Sequence, residues 1–233
     1  MGSTLILRLA GPLQNWSTDS RFEHRRAENF PTKSGIIGMI ANAMGRKRDD
    51  DISDLQKIKI SVRIDQPGVF LEDFQISKPQ EKKDPFVSRR WYLSDAVFLC
   101  AIECEDQSLL KKIEAAIKNP KRPLYLGRRS CPPDFPLLYG RYDTDALSAL
   151  RKIAWTGRGT MPNSLSLYSE GNKGDIIRKR MDQPVSFDFH HRKYRMGEMT
   201  LESICLEPYH SQSEMHFEAS IDYFDKLPEY KET

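Results

Sequence analysis

No stretch of this sequence is both apolar enough and long enough to cross a membrane as a helix, which needs about 20 mainly apolar residues. The first eleven residues, MGSTLILRLAG, form a short apolar run interrupted by Arg8, which predicts a β-strand and not a signal peptide. We therefore expect a cytoplasmic protein with no membrane contact. At 233 residues, 39% hydrophobic and 30% charged, the chain can form one large domain or two small ones with a real core.

Cysteine is scarce, and its spacing excludes the common metal sites. The four cysteines include no C-x-x-C pair, and no histidine lies at zinc-finger spacing from them. We expect buried, reduced thiols, no bound metal and no cofactor. The glycine pattern that a P-loop requires before its Lys-Ser is also missing ahead of Lys33 and Ser34, so nucleotide hydrolysis is not supported.

The small net charge of +3 hides an uneven distribution. Residues 198–233 contain nine acidic residues and two lysines, a balance of −7, so the rest of the chain carries +10. A basic body is typical of proteins that bind polyanions, and the acidic end predicts a solvating segment or one that contacts another protein. Chance segregation of charge is the alternative interpretation.

The most informative motif is LYLGRRSCP at residues 124–132. Gly127 allows the backbone to approach another group closely, and Arg128 and Arg129 follow it with planar guanidinium groups that suit phosphate. Five basic residues and no acidic one lie between residues 115 and 133: Lys118, Lys121, Arg122, Arg128 and Arg129. Such a run is often a plain solvated face, but its place in a glycine loop bounded by prolines predicts a polyanion site.

The hydrophobic pattern predicts an α+β fold. The element order is β-α-β-hairpin-β-α-loop-β, the split βαβ pattern of a ferredoxin-like domain, with a projecting hairpin over residues 66–94. After residue 150 the signals weaken, and only SLSLYSE and QPVSFDF resemble strands. We expect a ferredoxin-like domain over residues 1–150, and a smaller β-rich C-terminal region with an acidic tail over residues 151–233.

A helix predicted to begin at Pro31-Thr32-Lys33-Ser34 offers a second contact for phosphate. Free N–H groups at its first turn, with the Lys33 ammonium and the hydroxyls of Thr32 and Ser34, could hold one backbone phosphate. An ordinary capped helix is an equally good interpretation. Ile36, Ile37, Ile40 and Met44 form one apolar face, and Gly45 closes the helix.

The sequence contains no convergent catalytic group. The strand-like run AVFLCAIEC lacks the exposed aromatic residues on which RRM domains stack bases, so the basic connections, not the sheet face, are predicted to contact nucleic acid. His24, His190 and His191 lie in basic segments and could serve as a general base in metal-independent RNA cleavage, although isolated surface histidines are usually passive.

Six segments, which extend to about residue 200, carry a resemblance to a known family: LRLAGPLQNW (7–16), Arg25, FPTKSGIIGMIANAMGRKRDD (30–51), WYLSDAVF (91–98), LYLGRRSCPPDFPL (124–137) and DQPVSFDFHHRKY (182–194). Together, and in this order, they resemble the Cas5-type (CasD) subunits of Cascade, the type I-E CRISPR surveillance complex. The resemblance implies a ferredoxin-like (RRM-like) domain of the repeat-associated mysterious protein superfamily, with a β-hairpin thumb and a small C-terminal β region.

The resemblance also implies a function. Such subunits are not enzymes: they bind and cap the 5′ handle of the guide crRNA, contact a CasC-type backbone subunit and a CasA-type large subunit, and meet target DNA only through the complex. In type I-E systems the repeat is cut by another subunit, CasE. Related type I-C subunits are ribonucleases, so a metal-independent endoribonuclease that processes repeat RNA remains the alternative.

Matching positions give two groups of expected RNA contacts. The handle contacts implied by the family's basic motifs are Arg25, Lys33, Ser34, Arg128 and Arg129. Contacts near the junction of handle and spacer are implied for four residues of the thumb: Lys82, Lys83, Arg89 and Arg90.

Overall fold

The computed structural model describes residues 3–17, 20–21, 24–25, 27–78, 86–171 and 176–206. Within these ranges the chain forms two β-sheets and three α-helices. The helices are α1 (Lys33–Ala43), α2 (Gln107–Lys118) and α3 (Ala146–Lys152), and a 3-10 turn spans Leu55–Lys57. The strands are β1 (Thr4–Ala10), β2 (Leu13–Gln14), β3 (Ser20–Arg21), β4 (His24–Arg25), β5 (Lys59–Gln66), β6 (Val69–Ser77), β7 (Phe86–Ser94), β8 (Val97–Glu103), β9 (Leu138–Tyr142), β10 (Leu165–Glu170), β11 (Ile176–Ser186) and β12 (Lys193–Ile204).

The larger sheet has seven antiparallel strands in the order β11-β12-β10-β5-β8-β1-β9. Its inner strands β1 and β8 are almost continuously apolar because both faces of the sheet are covered. α1 and α2 pack on one face with the main core, and α3 packs on the other with a smaller core. No helix among the described residues is long and apolar enough to cross a membrane.

The two predicted helices are confirmed, and their ends follow from the sequence. Thr32 caps α1 by accepting a hydrogen bond from the Gly35 N–H, and α1 ends with paired bonds from the N–H groups of Gly45 and Arg46 back to carbonyls of its last turn. Asp106 caps α2 in the same way. The apolar residues at helical spacing in α2 are buried against the sheet: Leu109, Leu110, Ile113 and Ile117.

The predicted hairpin is also confirmed. β6 and β7 pair over their whole length, from Val69 opposite Ser94 to Ser77 opposite Phe86. β7 pairs on its other edge with β2 and, in parallel, with β4, which places Arg25 in register with Arg90. The hairpin is therefore part of a second, smaller sheet that includes the basic connection between β1 and α1.

The region after residue 150 continues the main sheet. β10 pairs with β5, and β12 and β11 extend the sheet from there, so the described C-terminal strands do not form a separate sheet. Residue 150 lies within α3, an element that the sequence pattern did not predict, and β12 was missed as well. The acidic tail from residue 207 onwards lies outside the described residues.

A buried arginine joins α3 to the sheet. Arg63 of β5 is fully buried and makes a two-pronged ion pair with Asp65, with Nε–Oδ1 and Nη2–Oδ2 distances of 2.6 and 2.9 Å. The same guanidinium donates to the carbonyls of Leu150, in the last turn of α3, and of Ile153 and Ala154, directly after it. Because the last carbonyls of a helix have no partner within it, Arg63 satisfies groups that would otherwise be buried unpaired.

Candidate RNA-binding surface

The basic loop between α2 and β9 is held by two buried residues, Leu126 and Cys131. The Leu126 N–H donates to the Cys131 carbonyl at 2.7 Å, and the Cys131 N–H donates to the Arg128 carbonyl at 2.9 Å. These bonds close a tight turn whose tip carries Arg128, Arg129 and Ser130. The loop therefore presents its two arginines on a fixed backbone.

Gly127 allows this turn to pack closely against the chain just after β2, at Asn15. Its φ of +84° lies in the left-handed region, and a Cβ at this position would meet the Asn15 carbonyl oxygen at 1.6 Å. The Asn15 N–H donates to the Leu126 carbonyl at 3.0 Å, and the Asn15 amide donates to the Trp91 carbonyl in β7. Asn15 thus ties the basic loop to the base of the hairpin, a role that sequence reasoning missed.

The loop arginine stacks on the hairpin. The Arg128 guanidinium carbon lies 5.3 Å from the ring centre of Tyr92, and Arg90 lies two residues along β7 from Tyr92, on the same side of the strand. We call Arg90, Tyr92, Arg128 and Arg129 the basic surface. Tyr92 was not a predicted site residue; only its place in the WYLSDAVF segment pointed to it.

The cations of the basic surface have no acidic partner among the described residues. None of its three arginines forms a described ion pair, and the buried Arg90 Nε has no hydrogen-bond partner there. The backbone of Arg25 runs beside Arg90; its side chain lies outside the described part. Three of the predicted contacts, Arg90, Arg128 and Arg129, thus lie around Tyr92, and the backbone of Arg25 pairs with that of Arg90.

Two of the three other cations of residues 115–133 have partners within the protein. Lys118 pairs with Glu114 one helical turn earlier at 2.9 Å. Arg122 donates to the carbonyls of Gly45 and Arg46, just after α1, and a positive charge at the C-terminal end of a helix is stabilising. The length of the basic run therefore overstated the size of the site.

Arg89 and Arg90, predicted as a pair, face opposite sides of β7. Arg89 lies over the ring of Phe74, 5.8 Å from its centre, and approaches Glu72 at 3.4 Å. Neighbouring residues of a strand point to opposite faces, so only Arg90 can join the basic surface. Lys82 and Lys83 lie outside the described residues.

The structure contradicts the expected phosphate contact of Lys33. Its side chain is buried, and Nζ pairs with Glu170 at 2.7 Å, while its N–H donates to the Asp182 carboxylate at 3.1 Å. Burial raises the pKa of Glu170, and the nearby Lys33 opposes that rise. A carboxylate already lies where the phosphate was expected, so Lys33 is a structural residue. Ser34 remains partly exposed, beside Thr32.

The predicted thiols and histidines form no reactive group in the described chain. Cys100, Cys104 and Cys131 are buried free thiols, as expected, and burial raises the pKa of Cys100 and Cys131; Cys205, in contrast, is exposed. His190 and His191 are exposed, and the backbone N–H of each donates to the Asp188 carboxylate. No cluster of three potential metal ligands occurs among the described residues.

Comparison with known proteins gives the family. Residues 4–200 match the family model described as CRISPR-associated protein (Cas_Cas5). The chain belongs to the Cas5 family. It is 32% identical over 163 residues to the CRISPR system Cascade subunit CasD of Escherichia coli (strain K12), a match that covers 60% of this chain and 71% of that protein.

Solved structures agree with the Cas5 assignment. The chain is similar to a chain of a CRISPR RNA-guided surveillance complex, with a TM-score of 0.76 and 30% identity over 88% of this chain and 91% of that one. It is also similar to a crystal structure of a Cas protein, with a TM-score of 0.67 and 37% identity over 87% of this chain and 94% of that one. The mixed α/β architecture with its antiparallel sheet is thus a Cas5 architecture.

Proposed function

We propose that this Cas5 protein is a non-catalytic, CasD-type subunit of a type I-E Cascade complex, which binds and caps the 5′ handle of the crRNA in the cytoplasm. It would contact a CasC-type backbone subunit and a CasA-type large subunit, and meet target DNA only through the complex. The observation that carries this proposal is the stacking of Arg128 on Tyr92, next to Arg90 and Arg129, with no acidic partner for these arginines among the described residues.

The chemistry of the basic surface suits an RNA backbone. Arginine presents a planar fork of N–H donors that matches phosphate oxygens, and the contact with the Tyr92 ring restricts the Arg128 side chain before RNA binds. A guanidinium that is already positioned loses less side-chain entropy on binding. Contacts of this kind fix the position of an RNA strand but do not by themselves read its bases.

The strand order supports a ferredoxin-like core. β1, α1, β5, β8, α2 and β9 follow in the predicted β-α-β-β-α-β order, and their strands are arranged β5-β8-β1-β9 within the larger sheet. The hairpin of β6 and β7 is inserted between β5 and β8, which is the position expected for a thumb. We therefore extend the proposal to a ferredoxin-like domain with the hairpin as its thumb.

Replacing Arg128 and Arg129 together by alanine should weaken binding to a 5′-handle RNA by about 10- to 100-fold at moderate salt, because two phosphate contacts are lost. The slope of log K against log salt should become shallower by about 1.4, since each contact to a single strand contributes about 0.7. Fluorescence anisotropy at several salt concentrations measures both quantities.

The matched control is Lys47→Ala with Arg48→Ala. These exposed residues carry the same charge and lie in the turn after α1, which contributes no residue to the basic surface. The control should retain most of the affinity, because only general electrostatic attraction is reduced. Equal affinities of the Arg128/Arg129 variant and the unchanged protein at every salt concentration would rule out the basic surface as the RNA site.

Nuclease activity is the competing function, and exposed His191, with Nδ1 at 3.3 Å from Asp188 Oδ1, is its best described candidate. We expect repeat RNA to remain intact during prolonged incubation with the purified protein in EDTA, followed by denaturing gel electrophoresis. A single specific product that disappears in His190→Ala or His191→Ala would replace the scaffold function with repeat processing.

A further inference from the structure

Among the described strands, β11 forms an edge of the main sheet. Within this set of strands it pairs only with β12, so one row of its backbone N–H and C=O groups has no strand beside it. Such an edge is a template for another strand, and proteins normally cover or block it. Pro184 has no N–H and limits further pairing to about residues 176–183.

Beside this edge the sheet also has an apolar face that no described residue covers. α3 packs mainly on β8 and β5, and it reaches β12 near the end of that strand, where Arg151 pairs with Glu202. Further along the same side, Ile177, Met181 and Met196 are 59%, 49% and 54% exposed. The ion pair of Lys179 with Glu198, at 3.0 Å, lies on the same side. Exposed apolar side chains grouped next to an open edge indicate that something packs on them.

The opposite side of β11, which faces α1, carries two arginines in different settings. Arg180 is buried over the ring of Phe30 at 4.0 Å and pairs with the buried Asp182 at 3.0 Å, so its charge is already compensated. Arg178 is exposed, and its described contacts are the same ring at 5.9 Å and Asn29 at 3.4 Å. At Arg178, this side of the edge therefore favours a partner that carries a carboxylate.

The acidic tail contains a segment with both required properties. Residues 215–223, MHFEASIDY, alternate strictly between apolar and polar side chains, the pattern of a half-buried strand. The apolar set is Met215, Phe217, Ala219, Ile221 and Tyr223, and the polar set is His216, Glu218, Ser220 and Asp222. The segment lies outside the described residues and beyond the part of the chain that matches the family model.

We propose that residues 215–223 add to the open edge of β11 in the same chain. Side chains of neighbouring strands lie side by side on the same two faces of a sheet. If the apolar set lies on the face of Ile177 and Met181, Glu218 and Asp222 lie on the face of Arg178. Hydrophobic pattern and charge thus favour the same orientation of the added strand.

The segment between β12 and residue 215 is long enough to reach the edge of β11. Ile204 is buried and Leu206 packs on the smaller core with α3, so the chain leaves β12 on the side of the uncovered apolar face. Residues 207–214 can span up to about 26 Å, several times the ~4.8 Å spacing between neighbouring strands. An intramolecular partner is also present at a high effective concentration.

Hydrogen exchange of the full chain, read by mass spectrometry on peptides from β11, tests this proposal. Ile221→Asp should speed exchange of the amides of residues 176–183 by at least about tenfold, because it places a charge on the apolar side of the added strand. Ser220→Asp, one residue away on the polar side, should leave that exchange unchanged. β9, at the other edge of the sheet, serves as the internal control.

A charge exchange gives an independent measurement. Arg178→Glu should also accelerate exchange of β11, and adding Glu218→Arg with Asp222→Arg should restore protection. Equal exchange of β11 in the unchanged protein and in Ile221→Asp would overturn the proposal. Protection that rises with protein concentration would also overturn it, because a second copy would then cover the edge.

Discussion

Arg63→Ala is expected to lower the free energy of unfolding by about 3–5 kcal/mol, because removal of one partner from a buried ion pair leaves the other charge uncompensated. Among the described residues, the Asp65 carboxylate would keep only its bonds from Thr156, and the carbonyls of Leu150, Ile153 and Ala154 would lose their donor. Urea unfolding followed by circular dichroism measures the change.

Arg89→Ala is the matched control for this experiment. The Arg89 pair with Glu72 is exposed, and its N–O distance is 3.4 Å, so its loss should cost less than about 1 kcal/mol. Equal unfolding midpoints for the Arg63 and Arg89 variants would contradict the structural role of Arg63. If Arg63→Ala is too unstable to purify, Arg63→Lys should show a smaller loss in the same direction, since it keeps the charge but not the fork.

Gly127→Ala should reduce RNA affinity about as much as the loss of both loop arginines, although it removes no charge. A Cβ at residue 127 would lie 1.6 Å from the Asn15 carbonyl oxygen, and neither backbone segment can keep its place against that overlap. The turn must then move, and Arg128 would leave Tyr92. Anisotropy with a 5′-handle RNA measures the loss.

Gly159→Ala is the control that separates the cost of a left-handed backbone from the displacement of the basic loop. Gly159 has nearly the same φ, +83°, but a Cβ there would meet no atom within 4 Å. This control should lose about 1–2 kcal/mol of stability from the left-handed backbone and keep its RNA affinity. If Gly127→Ala bound RNA as tightly as Gly159→Ala, the proposed position of the loop arginines would be wrong.

Local patterns in the sequence were sufficient for the elements that depend on neighbouring residues. The period of buried residues and the caps Thr32 and Asp106 predict α1 and α2, and the apolar strands with the turn residues between them predict the hairpin. α3 was missed because it is only two turns long, and β12 because few of its residues are buried. β12 forms, despite its weak local pattern, because it pairs with both β10 and β11.

The candidate site depended on contacts that a sequence does not reveal. Lys33 looked available for phosphate because its partners, Glu170 and Asp182, lie far along the chain. The contact of Gly127 with Asn15 likewise joins distant segments. In contrast, the separation of Arg89 from Arg90 follows from strand alternation, and it could have been predicted once β7 was assigned.

This alternation along β7 has a practical consequence for the hairpin. Arg90 and Tyr92 face the basic loop, whereas Arg89 and Trp91 lie on the other side with Phe74 and Phe70. One thin pair of strands thus offers two chemically distinct surfaces, and two ligands could occupy them at the same time without competing. Point substitutions on one side can therefore be used to dissect a multi-component assembly while the opposite contacts are left intact.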